Sequence, residues 1–427
     1  MSIHSKNSTS FGETCKVENP TPSINRVAAW RNVMLAALLM LATLPGRTQG
    51  LGLITEPMLR DFSLDRIAYA NINLWATLLG SAFCLPAGWL IDRCGLRWTS
   101  SVFLLLLAAV VWQLSVLAGG AMMVFVLILL TRALGQSALS VASITAVGKS
   151  FGLKVGVAMG AYSVALSVMF AAAFVIIGNV VRDHGWRVAW GQVTIGLLVV
   201  MALMVFYLRE PAREAKVMKS PLGGMSLGAA LKTPLFWVFA GATALFGLVS
   251  SGIGLFNEAV LAERGFDQKT FHTFLAVTTI FALLGQMLCG WLTVRFSMSR
   301  LLALAMFFYA GGLAALPMLN TLSQLWIFAA VFGIAAGFIT VIFFAIWSQA
   351  FGRVQLGRIQ GAAQMLTVFA SAIGPLLFAK CHAAAGSYAP LLYTLAPAVL
   401  LMGVVAWWTK VIPADHPYRH DDHPPEI

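Results

Sequence analysis

Charge is what this sequence lacks. Of its 427 residues only 10% are Asp, Glu, Lys or Arg, while 59% are hydrophobic. A soluble domain carries about 25% charged residues because its surface needs them. A chain this poor in charge cannot cover a water-soluble globule of its size. Cysteine is also scarce: Cys15, Cys84, Cys94, Cys289 and Cys381 show no metal-ligand spacing and no paired framework, and read as unpaired small residues. No G-x-x-x-x-G-K-[ST] phosphate loop occurs, so energy from ATP hydrolysed by this chain is excluded. The first thirty residues are polar and irregular, so no cleavable signal peptide is expected before the first apolar run.

What is present is a series of apolar runs of about twenty residues, each long enough for a helix to cross roughly 30 Å of hydrocarbon. Runs of this length exclude barrel strands, and in lipid the remaining way to satisfy every backbone group is the helix. Twelve spans are expected, at 32–56, 69–91, 99–119, 122–146, 155–180, 187–208, 234–258, 270–293, 300–318, 323–347, 359–380 and 389–410. Of the 28 Lys and Arg, 19 fall in segments on the side of the N-terminus, seven on the other side and two, Arg47 and Arg132, within spans. That bias predicts both termini in the cytoplasm of a cell membrane. It also explains the net charge of +12 without nucleic acid.

The longest polar interruption inside the chain runs from about Arg209 to Lys232. It divides the sequence into an N-terminal tail (1–31), a six-helix bundle (32–208), a central loop (209–233), a second six-helix bundle (234–410) and a C-terminal tail (411–427). The halves repeat one another. Gly50-Leu-Gly52-Leu53-Ile-Thr-Glu56-Pro-Met-Leu59 returns as Gly252-Ile-Gly254-Leu255-Phe-Asn-Glu258-Ala-Val-Leu261, and Gly88-Trp89-Leu90 as Gly290-Trp291-Leu292, both at an offset of 202. Phe151-Gly152, Gly156 and Gly160 return as Phe351-Gly352, Gly357 and Gly361 at 200 to 201. Three matches in order predict two pseudo-symmetric bundles, an arrangement that places a site near mid-membrane between them.

Gly88-Trp-Leu-Ile-Asp92-Arg93-Cys-Gly95-Leu-Arg97 resembles the G-x-x-x-D-R-x-G-x-R signature of the major facilitator superfamily. The resemblance implies that superfamily's all-α twelve-helix fold and a gate at this loop. Gly88 and Gly95 would allow close helix approach. Asp92 would face a helix N-terminus or a basic partner, and Arg93 and Arg97 would pair with acidic or carbonyl groups. Arg132-Ala-Leu-Gly135-Gln136 resembles the superfamily's R-x-x-Q-G element with Gly and Gln exchanged. The loop Lys149 to Gly156, Gly185-Trp186-Arg187 and Gly374-Pro375 to Tyr388 look loosely like monocarboxylate or oxalate–formate carriers, although span 8 offers Thr278, Thr279 and Gln286 where those carriers place a cation.

Ionisable residues inside spans are costly and therefore candidates for function. Arg47, in Pro45-Gly46-Arg47-Thr48-Gln49-Gly50, maps onto Val249 in the repeat, so it is no scaffold requirement. It reads as an anion-binding residue, or as one that snorkels outward or pairs with Glu56. Pro45, Gly46 and Gly50 can loosen the helix around it. Arg132 reads as a structural or coupling residue. Glu56 and Glu258 occupy equivalent outer positions and read as proton carriers, or as gate residues pairing with Arg60, Arg264 or each other. Gln49, Tyr162, Gln286, Phe344 and Gln364 are expected to complete a substrate site. No histidine falls mid-span and no catalytic cluster lies at one depth, so no enzyme, cofactor or metal is expected. The sequence thus predicts a monomeric secondary transporter that moves a small organic anion, such as a carboxylate, with a proton. A neutral-solute carrier, a drug exporter and a non-transporting sensor are the alternatives.

Overall fold

The computed structural model describes residues 26–64, 66–117, 120–151, 155–208 and 224–411, and every regular element among them is helical. In chain order the helices are α1 (Arg26–Leu41), α2 (Thr48–Gly52), α3 (Thr55–Asp61), α4 (Arg66–Ser81), α5 (Cys84–Cys94), α6 (Leu96–Val116), α7 (Ala121–Thr131), α8 (Ser140–Ser150), α9 (Val155–His184) and α10 (Trp186–Tyr207). The second half contributes α11 (Leu227–Leu231), α12 (Pro234–Ala262), α13 (Gln268–Leu292), α14 (Met298–Ala315), α15 (Leu322–Phe351), α16 (Leu356–Ala385) and α17 (Ala389–Trp408). Eleven helical stretches are long and apolar enough to cross a membrane. Most of the tails and residues 209–223 of the central loop lie outside the described residues.

Local sequence sets where several of these helices begin. Thr233 accepts from the Phe236 amide with Pro234 as first helical residue, and Asp267 accepts from Thr270 N at 2.9 Å. Thr321 and Gln324 form a reciprocal capping box at the start of α15. Each device satisfies amides that a helix start leaves without partners.

The first expected span is not one helix. It begins at Arg26, stops at Leu41, passes through a 3-10 turn at Leu44–Gly46 and resumes as the short α2 and α3. The counterpart stretch around Val249 lies in the unbroken, 29-residue α12. Pro45 supplies no amide donor, which helps explain the stop. Tertiary packing fixes its geometry: a Cβ on Gly46 would collide with the Thr131 carbonyl, and one on Gly135 would stand 3.1 Å from Gly46 Cα. Opposite this turn the helix between α7 and α8 widens into a π-helical stretch, Arg132–Leu139. Such stretches are rare and gather at functional sites.

The two halves meet through glycines that the repeat had paired in sequence. Gly156 and Gly160 of α9 lie against Thr293 and Gly290 after and within α13; Gly357 and Gly361 of α16 lie against Gly88 and Cys84 of α5. These contacts sit at one end of the molecule, called here the Asp92 face. Toward the other end the same helices separate. In α9 the buried residues run from Val155 to Leu166, and none of 167–184 is buried. α16 is mostly buried from Leu356 to Gln364, and beyond that only Val368, Gly374 and Phe378 are.

Candidate functional site

The broken span and the π-helical stretch hold two arginines between them. Arg132, 1% exposed, comes in over Gly80 of α4, where a Cβ would stand 2.9 Å from Arg132 Cβ. Its Nη2 donates to Asn73 Oδ1 at 2.5 Å. Its Nη1 faces three acceptors: the Gly46 carbonyl at 3.0 Å, Thr48 Oγ1 at 3.2 Å and Gln136 Oε1 at 2.7 Å. Two N–H groups cannot satisfy three acceptors at full strength, and Nε is buried without a partner. The Gly46 carbonyl is free to accept because the helix has stopped there.

Arg47 sits at the N-cap of α2. Its Nε donates to Thr43 Oγ1 at 2.6 Å, and its Nη2 reaches Met40 Sδ at 2.9 Å and Ser140 Oγ at 3.2 Å. The guanidinium lies 5.5 Å from the Phe170 ring centroid. Nη1 has no acceptor within the described protein and is not enclosed. Neither arginine is paired with a carboxylate among the described residues. A guanidinium at bilayer depth costs roughly 2.5–3.5 kcal/mol on insertion scales, so two of them with no described carboxylate beside them can attract an anion.

The other expected site residues are placed as follows. Tyr162 is fully buried, shares a 2.6 Å hydrogen bond with Ser143 and meets Phe344 edge-on at 5.5 Å across the two halves. Gln286 and Gln364 are buried, and the Oε1 of each lacks a partner. Gln49 is exposed on α2 and makes no side-chain hydrogen bond among the described residues. The Glu56 side chain lies outside the described residues. Glu258 is exposed and pairs with no described cation. The expected Glu258–Arg264 pair is absent because Arg264 is held by Glu263 at 3.8 Å and by the Pro317 carbonyl at 2.6 Å. The apolar enclosure expected of a proton-carrying carboxyl is likewise not found at Glu258.

At the Asp92 face, Asp92 bridges three partners. Its Oδ1 accepts from Lys149 Nζ at 2.9 Å and from Gly357 N at 3.1 Å, and its Oδ2 accepts from Arg358 N at 2.9 Å. The carboxylate thus caps α16, where helix dipole and charge favour it. Gly88 packs on Gly357 and makes that approach possible. Gly95 works differently from the close approach expected of it: its φ of 90° turns the chain between α5 and α6, a conformation L side chains rarely adopt. Arg93 and Arg97 stack on Trp89 and Trp98, with ring distances of 4.9 and 5.8 Å.

Some partners escaped the sequence reading. Thr43 and Ser140 orient Arg47, yet isolated hydroxyls in apolar runs carry no signal beyond the i, i+4 spacing of Thr43 and Arg47. Gln360 is fully buried with both amide atoms unpartnered, one turn before Gln364; the Gln-x-x-x-Gln spacing was the available clue.

The sequence model described as Major Facilitator Superfamily matches residues 35–261 and 239–425. The chain belongs to that superfamily; it is a membrane transporter and not an enzyme. Its fold is similar to that of the human organic anion transporter MFSD10 (TETRAN), with a TM-score of 0.65 and 15% identity over 90% of this chain and 100% of that one. It is also similar to FucP, a Major Facilitator Superfamily transporter in the outward conformation, with a TM-score of 0.62 and 16% identity over 88% and 99%. None of the curated proteins compared matches the chain.

Proposed function

We propose that this protein is a secondary transporter of a small organic anion, a carboxylate being the preferred class. It would work by alternating access between two six-helix bundles, with twelve spans and both termini in the cytoplasm of a cell membrane. The observation that carries the reading is the pair of guanidiniums, Arg132 buried and Arg47 partly buried, with no described carboxylate beside them and no described acceptor at Arg47 Nη1. The similarity of fold to an organic anion transporter is consistent with it. On this reading Arg47 holds the anion, Arg132 fixes the break in the first span, and Tyr162, Gln286, Phe344 and Gln364 shape the cavity. Asp92, Lys149 and the glycine contacts keep the cytoplasmic side closed and separate when the carrier turns inward.

A proton is the proposed coupling ion. Electroneutral symport of a monovalent anion avoids the roughly 2.3 kcal/mol per charge per 100 mV that opposes uptake of a lone anion. The exposure of Glu258 favours a second reading, exchange of one anion for another, which needs no titrating group. Proteoliposomes separate the two. Uptake of labelled carboxylates that follows an imposed pH gradient supports symport, and uptake that requires internal anion supports exchange. Transport of neutral solutes alone, or full carboxylate uptake by Arg47→Ala, overturns the proposal.

A further inference from the structure

Between α9 of the first half and α12, α13 and α15 of the second lies a cavity of about 190 Å³. Ser167 lines it from α9; Asn257, Phe274, Thr278, Phe328 and Phe332 line much of the rest. Its aromatic wall is ordered by stacking: Phe274 on Phe328 at 5.9 Å and 15°, and Phe328 on Phe332 at 5.0 Å and 22°. Two polar groups interrupt that wall. Thr278 Oγ1 is buried without a hydrogen-bond partner, and Asn257, 8% exposed, makes no side-chain hydrogen bond among the described residues. Buried polar groups normally find partners. A few convergent polar groups on an otherwise apolar concavity are the pattern of a small-molecule site.

The position of the cavity connects it to the arginine. Ser167 stands three residues before Phe170, whose ring lies 5.5 Å from the Arg47 guanidinium. Residues three apart on a helix are neighbours, with Cβ atoms about 5–6 Å from one another. The cation, packed on Phe170, and the cavity, lined by Ser167, therefore lie against neighbouring positions of α9. Size narrows the occupant further, since an apolar cavity of about 150 Å³ accepts a benzene molecule.

We propose that this cavity is the second part of the substrate site and seats the aromatic ring of an arylalkanoate whose carboxylate is held by Arg47. Thr278 and Asn257 bind a hydroxyl on that ring. The assignment rests on the anion-binding reading of Arg47 and deepens it. Because the ring touches Ser167 on one side and α13 and α15 on the other, the occupant spans both halves of the chain.

Calorimetric binding to the purified full-length protein tests this, with propionate, 3-phenylpropionate, 3-(4-hydroxyphenyl)propionate and the neutral 3-phenylpropanamide as ligands. The phenyl acid is expected to bind at least about tenfold more tightly than propionate, and the hydroxylated acid more tightly still. Ser167→Leu, which fills the cavity, should bring the phenyl-to-propionate affinity ratio down by about tenfold. Thr278→Val should remove the preference for the hydroxyl, and it tests the same cavity if Ser167→Leu fails to fold. Equal binding of propionate and 3-phenylpropionate, or ratios that neither variant moves, overturns the cavity assignment. If Arg47→Gln then still weakens every acid, the anion reading survives by itself. Ring-dependent binding that the amide matches and Arg47→Gln leaves intact keeps the cavity and removes the anion reading.

Discussion

Gly160 of α9 and Gly290 of α13 face one another so closely that a Cβ on Gly160 would stand 3.0 Å from Gly290 Cα, and a Cβ on Gly290 would stand 3.1 Å from Gly160 Cα. The repeat pairs Gly160 with Gly361 and Gly290 with Gly88, and those two also lie together, between α16 and α5. The halves are thus closed on the Asp92 face by two equivalent contacts, one of which carries an added charge cluster.

Widening the uncharged contact should open that face. Gly290→Val is expected to cost about 1–3 kcal/mol in the observed state through overpacking. A thiol probe should then label the native, buried Cys84, which packs on Gly361 at the equivalent contact of the same face, severalfold faster than in the unsubstituted protein. Unchanged labelling would remove these glycines from the gate.

The charged contact is expected to behave as a unit. Asp92→Asn loses charge-assisted hydrogen bonds to Lys149 and to the start of α16, each worth about 1.5–3 kcal/mol. In a double-mutant cycle Asp92→Asn and Lys149→Gln should couple by about 0.5–3 kcal/mol, because the second change removes a partner already lost. Melting temperatures of the four proteins measure the coupling, and additive shifts would contradict it.

Arg132→Lys should be nearly as harmful as Arg132→Ala. A single ammonium cannot reach Asn73 on one side and Gly46, Thr48 and Gln136 on the other, as the guanidinium does. A loss of about 2–4 kcal/mol is expected, within the range for breaking buried networks. Full rescue by lysine would mean that charge alone, not the fork geometry, holds the turn.

Thr43→Val tests how firmly Arg47 is aimed. The substitution removes the 2.6 Å bond to Nε while keeping the volume nearly constant. Loss of one hydrogen bond to a charged group predicts about 1.5–3 kcal/mol, read as weaker carboxylate binding with little change in melting temperature. A large fall in stability with unchanged binding would make Thr43 a packing residue instead.

On the opposite face, Glu263 gathers the ends of two loops. It accepts from Ser387 Oγ at 2.8 Å and Tyr388 N at 3.5 Å, with His382 Nε2 at 3.5 Å and Arg264 at 3.8 Å. Glu263→Ala should therefore lower the melting temperature and speed proteolysis of the loop between α16 and α17. Since the Arg264 contact is long at 3.8 Å and His382 is half-exposed, these ion pairs should contribute little, about 0–1 kcal/mol; most of the loss should come from the Ser387 and backbone bonds, and high salt should restore little.

Much of this was legible in the residues themselves. Length and apolarity of the runs placed helix ends within a few residues, because a helix that crosses lipid must be apolar for its whole buried length. The chief departures are breaks inside spans: the stop at Leu41 and the bend at Ala82-Phe83 in the second expected span. The symmetry-breaking Arg47 was visible because Val249 stands opposite it in the repeat. What that arginine touches was not visible, since Thr43, Ser140, Met40 and Phe170 look like ordinary span residues until two helices bring them together.

By itself, then, the sequence determined the class, the order of the long apolar helices, of which eleven are long enough to span among the described residues against the twelve expected, and the identity of the unusual charges. Burying charge in hydrocarbon is expensive wherever it occurs, so composition alone exposes it. Tertiary structure decided the rest: that the first span breaks beside Arg47, that Arg132 lies next to that break with no described carboxylate paired to either arginine, that Glu258 stands exposed, and that Asp92 caps α16 across 265 residues of chain. Those outcomes depend on which helix packs on which, and a local pattern of residues does not encode that.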